Sequence, residues 1–302
     1  MTTPQISQPR AWILAARPKT LPAAASPVVV GTAVAINDGV FSLWPVVAAL
    51  LGALLLQIGA NFANDVFDYK KGADTTERLG PVRVTQAGLL SPKQVMTGMW
   101  LTFGLAAAVG LYLVYVGGWP IVVIGLLSIL CAIAYTGGPF PLGYNGLGDL
   151  FVFIFFGLVA VCGTYYVQAL TVSAAAVWAS VPVGLLATAI LVVNNLRDVD
   201  TDRAAGKKTL AVRFGERGAQ IEYLLLVGGA YVVPPLMWLL GLSTLWVLLA
   251  WVSLVMVPAL VKLILHEKGR PLNKALAGTA RLELVFSLLF SIGLVIGAVI
   301  AS

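Results

Sequence analysis

Two stretches of this 302-residue chain set acidic and amide side chains at helical spacing. In NFANDVFDYKKGAD, residues 61–74, Asn61, Asp65 and Asp68 fall at i, i+4 and i+7, with Asn64 beside them. In NNLRDVDTDRAAGKKTLAVRFG, residues 194–215, Asn194, Asp198 and Asp202 repeat the spacing, and Asn195 shares the face of Asp198. Each cluster ends an apolar run, where an uncompensated carboxylate is costly. Two such patches brought together need cations between them. The donors are all oxygen, without a paired His or Cys, which suits Mg²⁺ better than zinc or copper. Mg²⁺ typically takes one or two carboxylates and completes its shell with substrate phosphates. Basic residues beside the clusters would meet the remaining charge. The pattern implies a site for a membrane-soluble diphosphate, its headgroup at the cytoplasmic face and its tail in lipid.

The elements that must carry these residues are membrane helices. The chain is 59% hydrophobic and 11% charged, with a mean hydropathy of +0.93. A soluble protein is about a quarter charged, so a soluble domain is excluded. Runs of roughly 20 apolar residues match the hydrocarbon core. Nine are expected, at about 20–36, 42–64, 95–116, 119–136, 148–170, 174–195, 219–240, 243–264 and 281–301. Pro18, Pro22 and Pro27 crowd the start of the first.

The Lys and Arg residues test that count. With a cytoplasmic N-terminus, nine alternating spans place all 19 of them on the cytoplasmic side. An even number of spans would not fit this distribution. The net charge of +6 is therefore mainly a topology signal. Both acidic loops fall on that same side. Spans one to four and five to eight read as two similar halves with a ninth added, all within one domain.

Other residues with chemical potential read more plainly. Cys131 and Cys162 lack a CxxC or CxxH partner and are expected as packed thiols. His266, the only histidine, sits beside Glu267 and Lys268 as in a surface loop. Asp38 belongs to an external turn, whereas Asp149 suits either a helix cap or a site. Gly206-Lys207-Lys208-Thr209 is not a phosphate loop, because Thr201 stands where the upstream glycine is required. The basic N-terminus has no short apolar core with a cleavage site, so no removable signal peptide is expected.

NDVFDYKKGAD resembles the first aspartate-rich motif of the UbiA superfamily of intramembrane aromatic prenyltransferases. Asp198 and Asp202, followed by Gly-Lys, resemble its second. ARPKTLPAAASPVVVG at 16–31, RLGPVRVTQAGLLSP at 78–92 and YTGGPFPLGYNGLGDLFVFIFFG at 135–157 are similar to the MenA branch, which acts on 1,4-dihydroxy-2-naphthoate. The resemblance runs from about residue 12 to 300. Asp74 departs from it, lying six residues beyond Asp68 where the motif has four.

The resemblance implies an all-α bundle of nine transmembrane helices. It implies Mg²⁺-dependent ionisation of a polyprenyl diphosphate and attack by the dihydroxynaphthoate ring. Loss of CO₂ would then give demethylmenaquinol. Asp65, Asp68, Asp198 and Asp202 would hold Mg²⁺, with Asn61, Asn64 and Asn195 as supporting oxygens. Arg17, Lys19, Lys70, Arg197, Lys207 and Lys208 are the candidate diphosphate contacts. Tyr135, Tyr144 and Asp149 would meet the acceptor or shield the allyl cation, and Phe67 and Phe151 could add cation–π contact. No general base is identifiable. The partners expected are the two substrates and membrane lipid, with no nucleic acid and no obligate protein partner. Two other readings stay open at this stage. One is a related prenyltransferase using a phytyl donor or a hydroxybenzoate acceptor. The other is an ion-coupled transporter with carboxylates at broken helices.

Overall fold

The computed structural model describes residues 6–73 and 79–301, and all regular structure among them is helical. Asp74 and Arg78 lie outside the described residues. A short α1 (Gln8–Ala16) leads through Arg17 and a 3₁₀ turn (Pro18–Thr20) into α2 (Leu21–Asn37). There follow α3 (Leu43–Lys70), α4 (Pro92–Gly117), α5 (Trp119–Ala134), α6 (Gly148–Ala169) and α7 (Ala174–Arg197). A one-and-a-half-turn α8 (Val199–Ala204) precedes α9 (Leu210–Leu239), α10 (Leu245–His266) and α11 (Leu272–Ala301). Each expected span coincides with one of α2–α7 or α9–α11. Eight stretches are long and apolar enough to cross a membrane, and α5 is a shorter apolar helix.

Local chemistry fixes the helix ends. Ser91 and Gln94 form a reciprocal capping box at the start of α4, with Pro92 in its first turn. Ser173 and Thr209 cap α7 and α9 by accepting from Ala176 and Val212. α6 carries a π-helical stretch at Phe153–Val159. There Gly157 meets Gly184 of α7, and a Cβ on Gly157 would fall 2.8 Å from the Gly184 Cα. Small residues let membrane helices approach backbone to backbone in this way.

α7 is the most enclosed span and packs against α2, α6, α9 and α11. Its Val183, Leu186, Val192 and Val193 join Tyr223, Phe286 and Phe290 in the larger core cluster. A second cluster binds α1, α3 and α4 through Phe62, Val66, Met99 and Phe103. Outward-facing residues such as Trp44, Tyr115, Leu111 and Val255 are exposed, as lipid-facing side chains are. Cys131 and Cys162 are both free thiols.

Several boundaries differ from expectation: α9 and α11 begin at Leu210 and Leu272 rather than near 219 and 281, and two differences fall at the polar motifs. α3 continues to Lys70 rather than stopping near 64, so Asp65 and Asp68 lie on the span itself. The polar face persists because each of its side chains finds a partner, described below. The second motif is not one continuous helix. α7 ends at Arg197, and Asp198 has left helical geometry at φ −101°, ψ 12°. The i, i+4 bonding survives the break, since Asp198 N–H reaches Asn194 O at 3.1 Å and Asp202 N–H reaches Asp198 O at 2.7 Å.

Candidate active site

The loops after α3, α5, α7 and α10 meet at one end of the bundle. Lys71 Nζ donates to Gly138 O, Lys208 N–H to Tyr144 O, and Asn273 Nδ2 to Leu79 O. The two aspartate motifs face each other beneath them. Asn61, Asp65, Asp68, Asn195, Asp198 and Asp202 are all buried.

In the first motif each carboxylate organises part of the α3–α4 loop. Asp65 accepts backbone N–H groups from Val84 (3.1 Å) and Thr85 (3.0 Å). Asp68 pairs with the buried Arg83 at 2.9 Å and accepts the Tyr144 hydroxyl at 2.7 Å. Asn64 accepts from the Thr136 hydroxyl at 3.1 Å. Asn61 turns the other way, toward Ala16 and Thr20.

In the second motif Arg197 doubles back onto its neighbour. Its Nε and Nη2 reach both oxygens of Asp198 at 2.8 and 2.5 Å. It also binds the side-chain oxygens of Asn194 (2.7 Å) and Asn273 (2.9 Å). Gly80 lies beside this guanidinium, and a Cβ there would sit 2.8 Å from Nη2. Arg197 was expected as a diphosphate contact. Its guanidinium makes four hydrogen bonds within the protein, and these hold the motif's shape. Asp202 pairs with Lys207 at 2.9 Å.

Tyr144 joins the two motifs. Lys71 and Lys207 lie over its ring, 5.1 and 4.9 Å from the centroid, while its hydroxyl holds Asp68. A continuous chain therefore runs Arg83–Asp68–Tyr144–Lys207–Asp202. Burial pushes the Asp202 carboxyl above the usual carboxylate range; Lys207 opposes that rise, and Asp198 and Asp68 add to it. Three carboxylates thus share one field. Burial likewise lowers Lys71, with Asp68 opposing.

The remaining expected residues fall around this chain. Tyr135 packs over the start of α6, its hydroxyl against Gly148, within electrostatic reach of Asp149, Asp68 and Asp202. Asp149 is buried in the first turn of α6. Lys19, Lys70 and Lys208 have exposed side chains, and Lys208 joins the site only through its backbone. Phe67 packs on Gly137, and Phe151 stacks on Phe155 at 6.2 Å. Sequence reasoning missed Lys71, Arg83 and Asn273. Lys71 and Arg83 stand inside the quoted motif stretches but counted only as topology charges.

The donor set fits a hard divalent cation. The buried carboxylates Asp65, Asp68, Asp198 and Asp202 offer only oxygen donors, and three of them already hold an internal cation. Among the described residues no three acidic, His or Cys side chains form a ready-made cage. A phosphate-bearing substrate would complete the shell, as is usual for Mg²⁺.

A model of the UbiA prenyltransferase family matches residues 24–285. The chain is 40% identical over 304 residues to an Escherichia coli (strain K12) protein described as 1,4-dihydroxy-2-naphthoate octaprenyltransferase; the match covers 97% of this chain and 98% of that one. Its fold is that of an apo UbiA homolog from Aeropyrum pernix K1, with TM-score 0.67, 15% identity and coverage of 91% and 97%. It is also that of an Archaeoglobus fulgidus homolog solved with DMAPP and Mg²⁺, with TM-score 0.59, 15% identity and coverage of 94% and 98%.

Proposed function

This chain belongs to the UbiA prenyltransferase family, and we infer that it is a 1,4-dihydroxy-2-naphthoate polyprenyltransferase. It transfers the polyprenyl group of a polyprenyl diphosphate to the naphthoate ring, whose carboxyl leaves as CO₂, giving demethylmenaquinol. The near-full-length similarity to the Escherichia coli enzyme carries this reading. The joined acidic motifs supply its chemistry.

The barrier is charge separation. The allylic C–O bond breaks, its electron pair leaves with diphosphate, and an allyl cation remains. Asp65, Asp68, Asp198 and Asp202, with Asn64 and Asn195, are the residues that would hold Mg²⁺. That ion would supply Lewis-acid stabilisation of the departing oxygens. Lys207 and Lys71, preorganised on the Tyr144 ring, offer cations to the same developing charge. Arg197 and Asn273 hold Asp198 in register, and Asp65 holds the loop that presents Arg83. The rings of Tyr135 and Tyr144 screen the cation from water until the ring carbon attacks. One domain does all of this, built from two similar four-helix halves and a ninth helix.

Purified protein tests the reading. Given dihydroxynaphthoate and a polyprenyl diphosphate, it forms a prenylated naphthoquinol and CO₂. Given hydroxybenzoate, it forms no product. Equal or preferred use of hydroxybenzoate would shift the assignment to another branch of the family.

The protein is a multi-pass membrane protein. Its N-terminus and active site face the cytoplasm, an orientation supported by the one-sided distribution of Lys and Arg. A membrane-impermeant thiol reagent should label Ser42→Cys in intact cells and Lys268→Cys only after lysis. The opposite pattern would invert the topology.

A further inference from the structure

We propose that Asn61 is a positioning residue, clamping both ends of the α1–α2 linker so that Arg17 is aimed at the diphosphate. The proposal rests on the diphosphate reading of the site above. Asn61 Nδ2 donates to Ala16 O at 3.0 Å and to the Thr20 hydroxyl at 3.0 Å. A carbonyl can only accept, so the amide's orientation is fixed. Gln57 Nε2 reinforces the clamp, reaching the same hydroxyl at 3.2 Å and Asn61 Oδ1 at 3.5 Å. Thr20 in turn donates its hydroxyl to Arg17 O at 3.0 Å. One buried amide thus grips the residue before Arg17 and the third residue after it.

What lies between those grips is strained. Arg17 has φ 51° and ψ 68°, a left-handed backbone that L-residues with a Cβ adopt at a cost. Among the described residues the only other non-glycine with positive φ is Leu170. Glycine would relax this bend, yet it would delete the guanidinium. The Arg17 Nη2 is buried, so the side chain points inward rather than to solvent. Asn61 stands one turn before Asp65 on the same face of α3, which docks the linker at the edge of the acidic cluster. Both amide hydrogens of Asn61 are spent on the linker, which makes it a brace for a diphosphate-binding arginine rather than a metal ligand.

The test measures binding of geranyl thiolodiphosphate, whose C–S bond resists ionisation, to purified full-length protein across a Mg²⁺ titration. Asn61→Ala, Thr20→Val and Arg17→Ala should each weaken the probe about tenfold, Thr20→Ser should bind like wild type, and Asn61→Ala/Arg17→Ala should be no weaker than Arg17→Ala. Half-saturating Mg²⁺ should not move. If Asn61→Ala does not fold, Thr20→Val carries the comparison. Multiplying effects in the double variant, or a raised Mg²⁺ requirement in Asn61→Ala, would overturn the clamp and make Asn61 a ligand. Normal binding by Arg17→Ala would overturn it at the arginine. Failure of wild-type protein to bind the probe would instead strike the diphosphate reading itself.

Discussion

Asp198→Ala loses prenyl transfer while the protein still inserts in the membrane. Two separate consequences are expected. The first is chemical, since one of the four buried carboxylates proposed to hold the metal disappears. Removing a single preorganised charge-stabilising group of this kind typically costs about 10²–10³ in turnover, and a metal ligand more. The second is structural. Arg197 is left buried, with only Asn194 and Asn273 as partners. Breaking a buried pair by removing one member costs about 3–5 kcal/mol. Asp198→Asn separates the two, because it keeps the shape and a hydrogen-bonding oxygen but not the charge. Thermal unfolding should show only part of the stability restored in the asparagine variant, because one amide oxygen replaces two charged acceptors for Arg197, with turnover still low. Near-normal turnover in either variant would refute the assignment of Asp198 to the metal.

Chelation should silence the wild-type protein, and added Mg²⁺ should restore it. Three of the site's carboxylates carry one internal cation each: Arg83 on Asp68, Arg197 on Asp198 and Lys207 on Asp202. Those cations balance the resting protein. They do not balance a diphosphate that gains charge as its allylic bond breaks. On the proposed reading, a divalent ion would supply the additional positive charge. Turnover measured against free Mg²⁺ should saturate and fall to background in excess EDTA. A fully active chelated enzyme would contradict this account of the charge.

Much of this arrangement was legible in the sequence, for identifiable reasons. Periodicity put Asn61, Asp65 and Asp68 on one face because α3 remains helical through Lys70. The alternation of spans matched a bundle whose loops after α3, α5, α7 and α10 gather at one end. The pairing of the two motifs followed from that topology.

What could not be read was loop geometry. Tyr144 stood out as an aromatic, but nothing local says that two lysines from different loops will lie over its ring. Asn273 reaches Arg197 from 76 residues away, and only because α11 begins beside the end of α7. The bonds of Asn61 to the α1–α2 linker were hidden for a related reason. Its spacing matched the aspartates, while its partners lie on a linker whose left-handed turn at Arg17 no propensity suggests. The break at Asp198 was equally silent, because the i, i+4 bonds that periodicity describes continue across it.

The central claim is that these joined motifs ionise a polyprenyl diphosphate for transfer to dihydroxynaphthoate. Product analysis by mass, with purified protein, Mg²⁺ and both substrates, tests it most directly. The account predicts a naphthoquinol that has gained the prenyl group and lost the carboxyl, with one CO₂ and one diphosphate released per product. A prenylated product that keeps its carboxyl, or diphosphate release without any prenylated ring, would contradict it.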